Sequence, residues 1–263
     1  MKKPAWVVEK ERARKAAAAE TVWLFGLHAV RDALANPARE KLRLVLTKNA
    51  ADRLGEAVAA GGLAPEIVDA RKFDTAVPID RGSVHQGAAL EVRPLAWGSL
   101  AEVCAGGAGR PLVVLLDRVT DPHNVGAILR SAEVFGYRAV CLPARGTPGV
   151  YPSVVKISAG ASEHLLIAHN RSANQYARAA AEAGYSIAAL DAKGDVELAD
   201  LARQPFERML LVIGGEDKSV GQYILNMADC VVRIGQRGRI SSLNASVSAA
   251  IALHALQGGE GGE

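Results

Sequence analysis

From residue 112 onward the chain alternates short, wholly apolar runs with segments of helix length. "LVVLL" (112–116) and "MLLVI" (209–213) offer water no polar face. Strands of this kind are buried on both sides, which is the habit of parallel sheets covered by helices. The pattern places strands at 112–117, 138–142, 186–190, 209–213 and 230–234, and helices at 125–135, 174–184, 219–227 and 244–256. The reading is an α/β fold with a parallel sheet. Ligands of such sheets bind beyond the carboxyl ends of the strands. Function is therefore to be sought in the loops that follow strands.

The remaining chain divides by composition. Residues 1–21 read as a flexible basic arm: positions 1–20 hold six Lys/Arg against three Glu. Residues 22–94 read as a smaller α/β unit, with helices in "FGLHAVRDALAN" and "ADRLGEAVAAGG" and strands in "LRLVLTK", "APEIVDA" and "GAALEVRPL". Gly-rich residues 95–111 read as a linker with at most one helical turn. Residues 112–257 form the main domain, and 258–263 ("GGEGGE" within it) a disordered tail. A chain of 263 residues is long enough for a full core.

A net charge of +3 does not by itself indicate a nucleic-acid partner. Its distribution says more. Residues 137–162 contain Arg138, Arg145 and Lys156 and no acid; residues 233–239 contain Arg233, Arg237 and Arg239 and no acid. Such segments suit a phosphate backbone, and equally suit solvated loops. No apolar run approaches the roughly 18 residues of a membrane helix. The N-terminus lacks the apolar core of a secretory signal, and Glu9, Glu11 and Glu20 argue against a transit peptide, so a cytoplasmic protein is expected. Cys104, Cys141 and Cys230 have no metal-ligand spacing and read as small core residues in a reducing compartment.

Several chemistries lack their signatures. There is no G-x-G-x-x-G after the first strand, no G-x-x-x-x-G-K-[ST], no G-x-S-x-G elbow and no H-E-x-x-H helix. What remains is three polar loops at three strand ends. The first is "DPHNVGAILRSAEVFG" (121–136). Asn124 there suits a helix N-cap, or a site residue. Arg130 lies among apolar neighbours and stays charged, so it needs an anion. Glu133 supplies one as an i,i+3 pair, or a substrate phosphate does. The second loop, "LLVIGGEDKSVG" (210–221), ends a strand at Gly214-Gly215, where a ligand can approach the backbone. Glu216 and Asp217 are first-turn acids or site residues. In the third, "IGQRGRISSLNASVSAAIALHAL" (234–256), any of Ser241, Ser242 and Asn244 could cap the helix, but the crowding exceeds one cap's need.

Together these loops resemble the SPOUT superfamily of RNA methyltransferases, and within it the SpoU (TrmH-like) ribose 2′-O-methyltransferases. "NVGAILRSAEVFG", "IGGED" and "SSLNASVSAAIAL" resemble the family's three motifs, and "VKISAGASEHL" (155–165) its intervening segment, in order over about 145 residues. "FGLHAVRDAL" and "HQGAALEV" resemble the L30-like RNA substrate-binding domain, most as in bacterial 23S rRNA guanosine 2′-O-methyltransferases. The resemblance implies a deep trefoil knot in the C-terminal segment, S-adenosyl-L-methionine bound at Gly214, Ile234 and Leu243, RNA (23S rRNA) as substrate, a homodimer, and no metal. It assigns Asn124, Arg130, Glu216, Ser242 and Asn244 to the catalytic site, with Arg130 at the ribose and its phosphate. A guanidinium keeps its proton in proteins, so it activates by charge rather than as a base. One departure stands out: Ile234-Gly235-Gln236 replaces the family's common Ile-Pro-Met, which loosens the loop. Rival readings are a tRNA ribose methyltransferase and a non-catalytic RNA-binding assembly protein.

Overall fold

The computed structural model describes residues 21–79, 82–105, 110–169, 171–216, 218–236, 238 and 242–257, without the side chains of 110 and 111. The expected arm (1–20) and tail (258–263), and Asp217, Arg237, Arg239 and Ser241, lie outside the described residues. The chain forms two compact units, divided between Ala96 and Trp97.

The first unit holds strands β1 (Val22–Phe25), β2 (Lys41–Thr47), β3 (Pro65–Val68) and β4 (Ala88–Val92), in the order β1-β4-β2-β3. Only β2 and β3 run parallel. Its helices are α1 (Leu27–Ala35), α2 (Lys48–Gly61) and the single turn α3 (Phe73–Ala76). Thr47 caps α2 by accepting the Ala50 N–H at 3.3 Å. Thr21, assigned by sequence to the arm, donates to Glu91 at 3.0 Å and belongs with this sheet.

The second unit is built on β5 (Arg110–Asp117), β6 (Tyr137–Leu142), β7 (Leu166–His169), β8 (Ser186–Leu190), β9 (Val196–Glu197), β10 (Met209–Gly214) and β11 (Cys230–Arg233). All pairs are parallel, in the order β7-β6-β5-β10-β8-β11-β9. Successive side chains of β5 and β10 enter opposite cores, as a strand's period of two requires. Leu112, Val114, Leu116, Leu211 and Ile213 meet α5 (Pro122–Val134) and α10 (Ala245–Leu256). Val113, Leu115, Leu210 and Val212 meet α4 (Leu100–Cys104), α7 (Ala173–Glu182) and α9 (Gln222–Met227). Short helices α6 (Pro152–Ile157) and α8 (Leu198–Leu201) pack with the first group.

The α/β fold with a parallel sheet is as expected. The stretch taken as a linker is not one throughout. Ser99 and Glu102 form a capping box that starts α4, and the Gly98 N–H donates to Ile167 at 2.8 Å. Trp97 packs edge-on against His169. Residues 97–104 are therefore part of the second unit, anchored by Trp97 and Val103. Among the described residues, no helix is long and apolar enough to cross a membrane.

Candidate active site

The three loops converge at the carboxyl ends of β5, β10 and β11. Asp121 begins α5: its side chain accepts the His123 N–H at 2.9 Å, and Pro122 follows at the first helical position, where no N–H is needed. This overturns the reading of Asn124 as the N-cap. Asn124 falls one turn in, 6 % exposed, and its amide is free to reach out of the helix. Its Nδ2 donates to Glu216 at 3.0 Å.

Asn244 does cap its helix. Its Oδ1 accepts the N–H groups of Ser246 (2.9 Å) and Val247 (3.3 Å) at the start of α10. Its Nδ2 donates to Asn124 Oδ1 at 3.0 Å and also to Glu216. The Ala245 N–H donates to the same Glu216 oxygen at 3.4 Å. One carboxylate oxygen thus accepts from three donors at the N-terminal end of α10. Residues 124, 216 and 244, separated by 92 and 28 positions, form one network.

Beside this network lies a cavity of about 250 Å³. Gly214, Glu216, Ile234, Ser242 and Leu243 line it, as do Asp191, Lys193 and Ser219, which sequence reasoning did not single out. The position of Asp191, next after β8, was the available signal. Residues 214–216 and 218–221 are folded tightly and tied down. A Cβ on Gly214 would lie 2.7 Å from the Val220 nitrogen, and one on Gly215 2.1 Å from the Arg118 carbonyl oxygen. Only glycine allows that approach. Buried Asp117 accepts the Gly221 N–H at 2.7 Å, Arg118 donates to the Ser219 carbonyl, and Ser219 donates to Asp191. Arg118 is held with φ 61°, a backbone conformation costly for a residue with a Cβ.

The cavity's lining suits a ligand with both apolar and charged parts. Leu190, Ile213, Ile234 and Leu243 provide apolar wall, while Asp191, Glu216 and Lys193 provide ionisable groups of both signs. Among the described residues no His/Cys/Asp/Glu group could hold a metal ion. Burial pushes the thiols of Cys104, Cys141 and Cys230 up, which leaves none primed as a nucleophile.

Arg130 stands apart from the network. It is exposed on α5, and at about 100° per residue it points some 120° around the helix from Asn124. Among the described residues it makes no ion pair with Glu133, so the structural pairing weighed from sequence does not form.

Residues 111–254 match the SpoU rRNA Methylase family, and residues 23–97 match the domain described as RNA 2′-O ribose methyltransferase substrate binding. The chain belongs to the SpoU rRNA methylase family. An uncharacterised tRNA/rRNA methyltransferase of Synechocystis is 32% identical over 243 residues, covering 89% of this chain and 61% of that protein. One of Mycobacterium avium is 32% identical over 241 residues, covering 89% of this chain and 76% of its own length. The fold matches an rRNA methyltransferase of Sinorhizobium meliloti solved with AdoMet bound (TM-score 0.74, 22% identity, 93% of this chain and 90% of that one). It also matches AviRb of Streptomyces viridochromogenes in complex with AdoMet (TM-score 0.73, 21% identity, 93% and 92%). At these identities the structural likeness is one of fold, and the SpoU assignment rests on the sequence matches.

Proposed function

We propose that this SpoU chain transfers the methyl group of S-adenosyl-L-methionine to a ribose 2′-OH of RNA, with a guanosine of 23S rRNA as target. The observation that carries the reading is the Asn124–Glu216–Asn244 network at the mouth of a glycine-walled cavity. Gly214, Ile234 and Leu243 would hold the cofactor, whose sulfonium makes its methyl group electrophilic. The first unit, matched to an RNA ribose substrate-binding domain, supports RNA as the partner.

In this reading Glu216 fixes the two asparagine amides, and Ser242 and Asn244 border the approach of the ribose. Holding oxygen, carbon and sulfur in line supplies several kcal/mol of the barrier. Exposed Arg130, with its guanidinium unclaimed by Glu133, is the group for the phosphate next to the target ribose. Arg130→Ala is expected to abolish turnover while cofactor binding, followed by calorimetry, persists. Near-normal turnover would reject its role.

The proposal includes a homodimer in the cytoplasm. Val247 and Ile251, one turn apart on α10, are 47% and 40% exposed, and Leu243 just before the helix is 42% exposed; a second copy would cover these apolar groups. It also includes the trefoil knot: Ile234, Gln236, Ser242 and Leu243 line the cavity founded on β8 and β10, and Asn244 meets Glu216, which fits a threaded segment.

The relatives' names leave tRNA as the second reading. Deproteinised 23S rRNA and bulk tRNA, each incubated with labelled S-adenosylmethionine and mapped by mass spectrometry, separate the two. Label as 2′-O-methylguanosine in rRNA alone is expected. Label in tRNA alone selects the second reading; label in neither, with cofactor still bound, selects an RNA-binding assembly protein.

A further inference from the structure

The loops after β6 and β7 leave the strand-end rim on the far side of β5 from the cavity, and the network described above uses neither of them. They are nonetheless fixed to one another. The Ala144 N–H donates to the Arg171 carbonyl at 3.0 Å, and Thr147 Oγ1 donates to the Leu116 carbonyl at 3.4 Å. The His169 ring is bonded through Nδ1 to the Leu142 carbonyl at 2.9 Å. Gly146 sits against Arg118, whose Cγ would be 3.5 Å from a Cβ added there, so this rim adjoins the loop that walls the cavity. Gly149 packs between the His169 ring and Tyr151.

On this rigid base two guanidinium groups, Arg145 and Arg171, stand exposed. Tyr151, at the start of α6, is 60% exposed, unusual for an aromatic ring on an otherwise well-packed unit. Residues 137–162 contain no acid to neutralise the patch. Fixed cations beside an exposed ring are the parts of a single-stranded nucleic-acid track: the charges meet phosphates and the ring stacks on a base. The patch lies on the same carboxyl-end rim as the cavity and adjoins its wall through Gly146 and Arg118.

We infer that the β5–β7 half of the rim binds the RNA strand flanking the target ribose, with Tyr151 stacked on an unpaired base and Arg145 and Arg171 on phosphates. The inference rests on the methyltransferase reading and adds a subsite to it. The test uses the full chain, a fluorescein-labelled single-stranded RNA of mixed sequence, and S-adenosylmethionine titrated separately by calorimetry. Tyr151→Ala is expected to weaken RNA binding about five- to a hundredfold, and Tyr151→Phe to restore it, because stacking needs the ring and not the hydroxyl. Arg145→Gln and Arg171→Gln are each expected to lower the slope of log affinity against log salt by about 1. Cofactor affinity should be unchanged in all four. If the wild type binds RNA and these variants bind it equally well, the subsite is rejected while the methyltransferase reading stands. If Tyr151→Ala instead shifts the protein to a smaller species on size exclusion, the ring belongs to a protein interface and the inference fails. A wild type that binds neither RNA nor cofactor overturns both.

Discussion

Asn124 and Asn244 stand at the starts of two helices that run side by side in the same direction, with Phe135 against His254 near their far ends. The two amides are the same group, 3.0 Å apart, yet they are differently employed. Asn244 spends its oxygen on its own helix and has only its nitrogen for Glu216. Asn124 has no capping duty, because Asp121 already holds that post, and its whole amide faces the site. A polar residue at a helix start is thus a cap or a site residue according to what precedes it. Here Asp121-Pro122 decides the matter for α5, and no comparable pair precedes α10.

Within this network, removing the shared acceptor should have the largest effect. Glu216→Ala leaves the buried Asn124 amide without its carboxylate and frees Asn244 to turn. Methyl transfer to RNA is expected to fall on the order of a hundredfold, the scale of a small misplacement at a reacting centre. Denaturant unfolding should show a loss of about 1–3 kcal/mol for the unsatisfied donor. Turnover that survives intact would mean that the two asparagines do not act through this residue.

The two amides should separate next. Asn244→Ala removes a cap and is expected to cost about 1 kcal/mol of stability. Asn244→Asp keeps the cap but sets a second carboxylate against Glu216. That like-charge pair raises one carboxyl pKa, so its penalty is present at high pH and is relieved as pH falls through the raised value. Stability and turnover of this variant should recover as pH falls, whereas Asn244→Ala should show no such recovery. Asp121→Ala costs α5 its cap, again about 1 kcal/mol, with Asn124 still bound to Glu216 and activity nearly retained. Parallel pH profiles for Asn244→Asp and Asn244→Ala would break the distinction between cap and site amide.

What could be read from the sequence follows the same physics. β5, β8 and β10 were legible because a strand buried on two faces is apolar along its middle. α6 and β7 were not: "PSVVKI" and "LIAH" are too short to show a period, and they sit in a stretch rich in Gly, Ser and Pro. Within α4, Ser99 and Glu102 have the capping-box spacing, but the glycines beyond outweighed it. The glycines and polar residues of the three loops were legible, and the family likeness ordered them. That Glu216 joins positions 124 and 244 was not, since such pairing has no sequence period. The ties from Asp117 and Arg118 to the 219–221 segment were hidden for the same reason.

The smallest effect concerns the loop that departs from the family's usual Pro-Met. Gly235 is exposed, and its φ is not in the left-handed region, so a side chain is compatible with its backbone. A Cβ there would lie 3.1 Å from Glu197 Oε2, an atom at the end of a side chain held by Arg233 at 2.8 Å. Gly235→Ala therefore sets a gain of about 0.4–1 kcal/mol, from a less free unfolded chain, against a small displacement of the Glu197–Arg233 pair. That pair is exposed and worth little by itself. The balance should be about a few tenths of a kcal/mol in denaturant unfolding, and S-adenosylmethionine binding measured by calorimetry should stay within about twofold of the wild type. A change of tenfold or more would show that residues 234–236 hold the ligand through their own ordering, and that the fixed frame of Asn124, Glu216 and Asn244 is not what sets the cavity's shape.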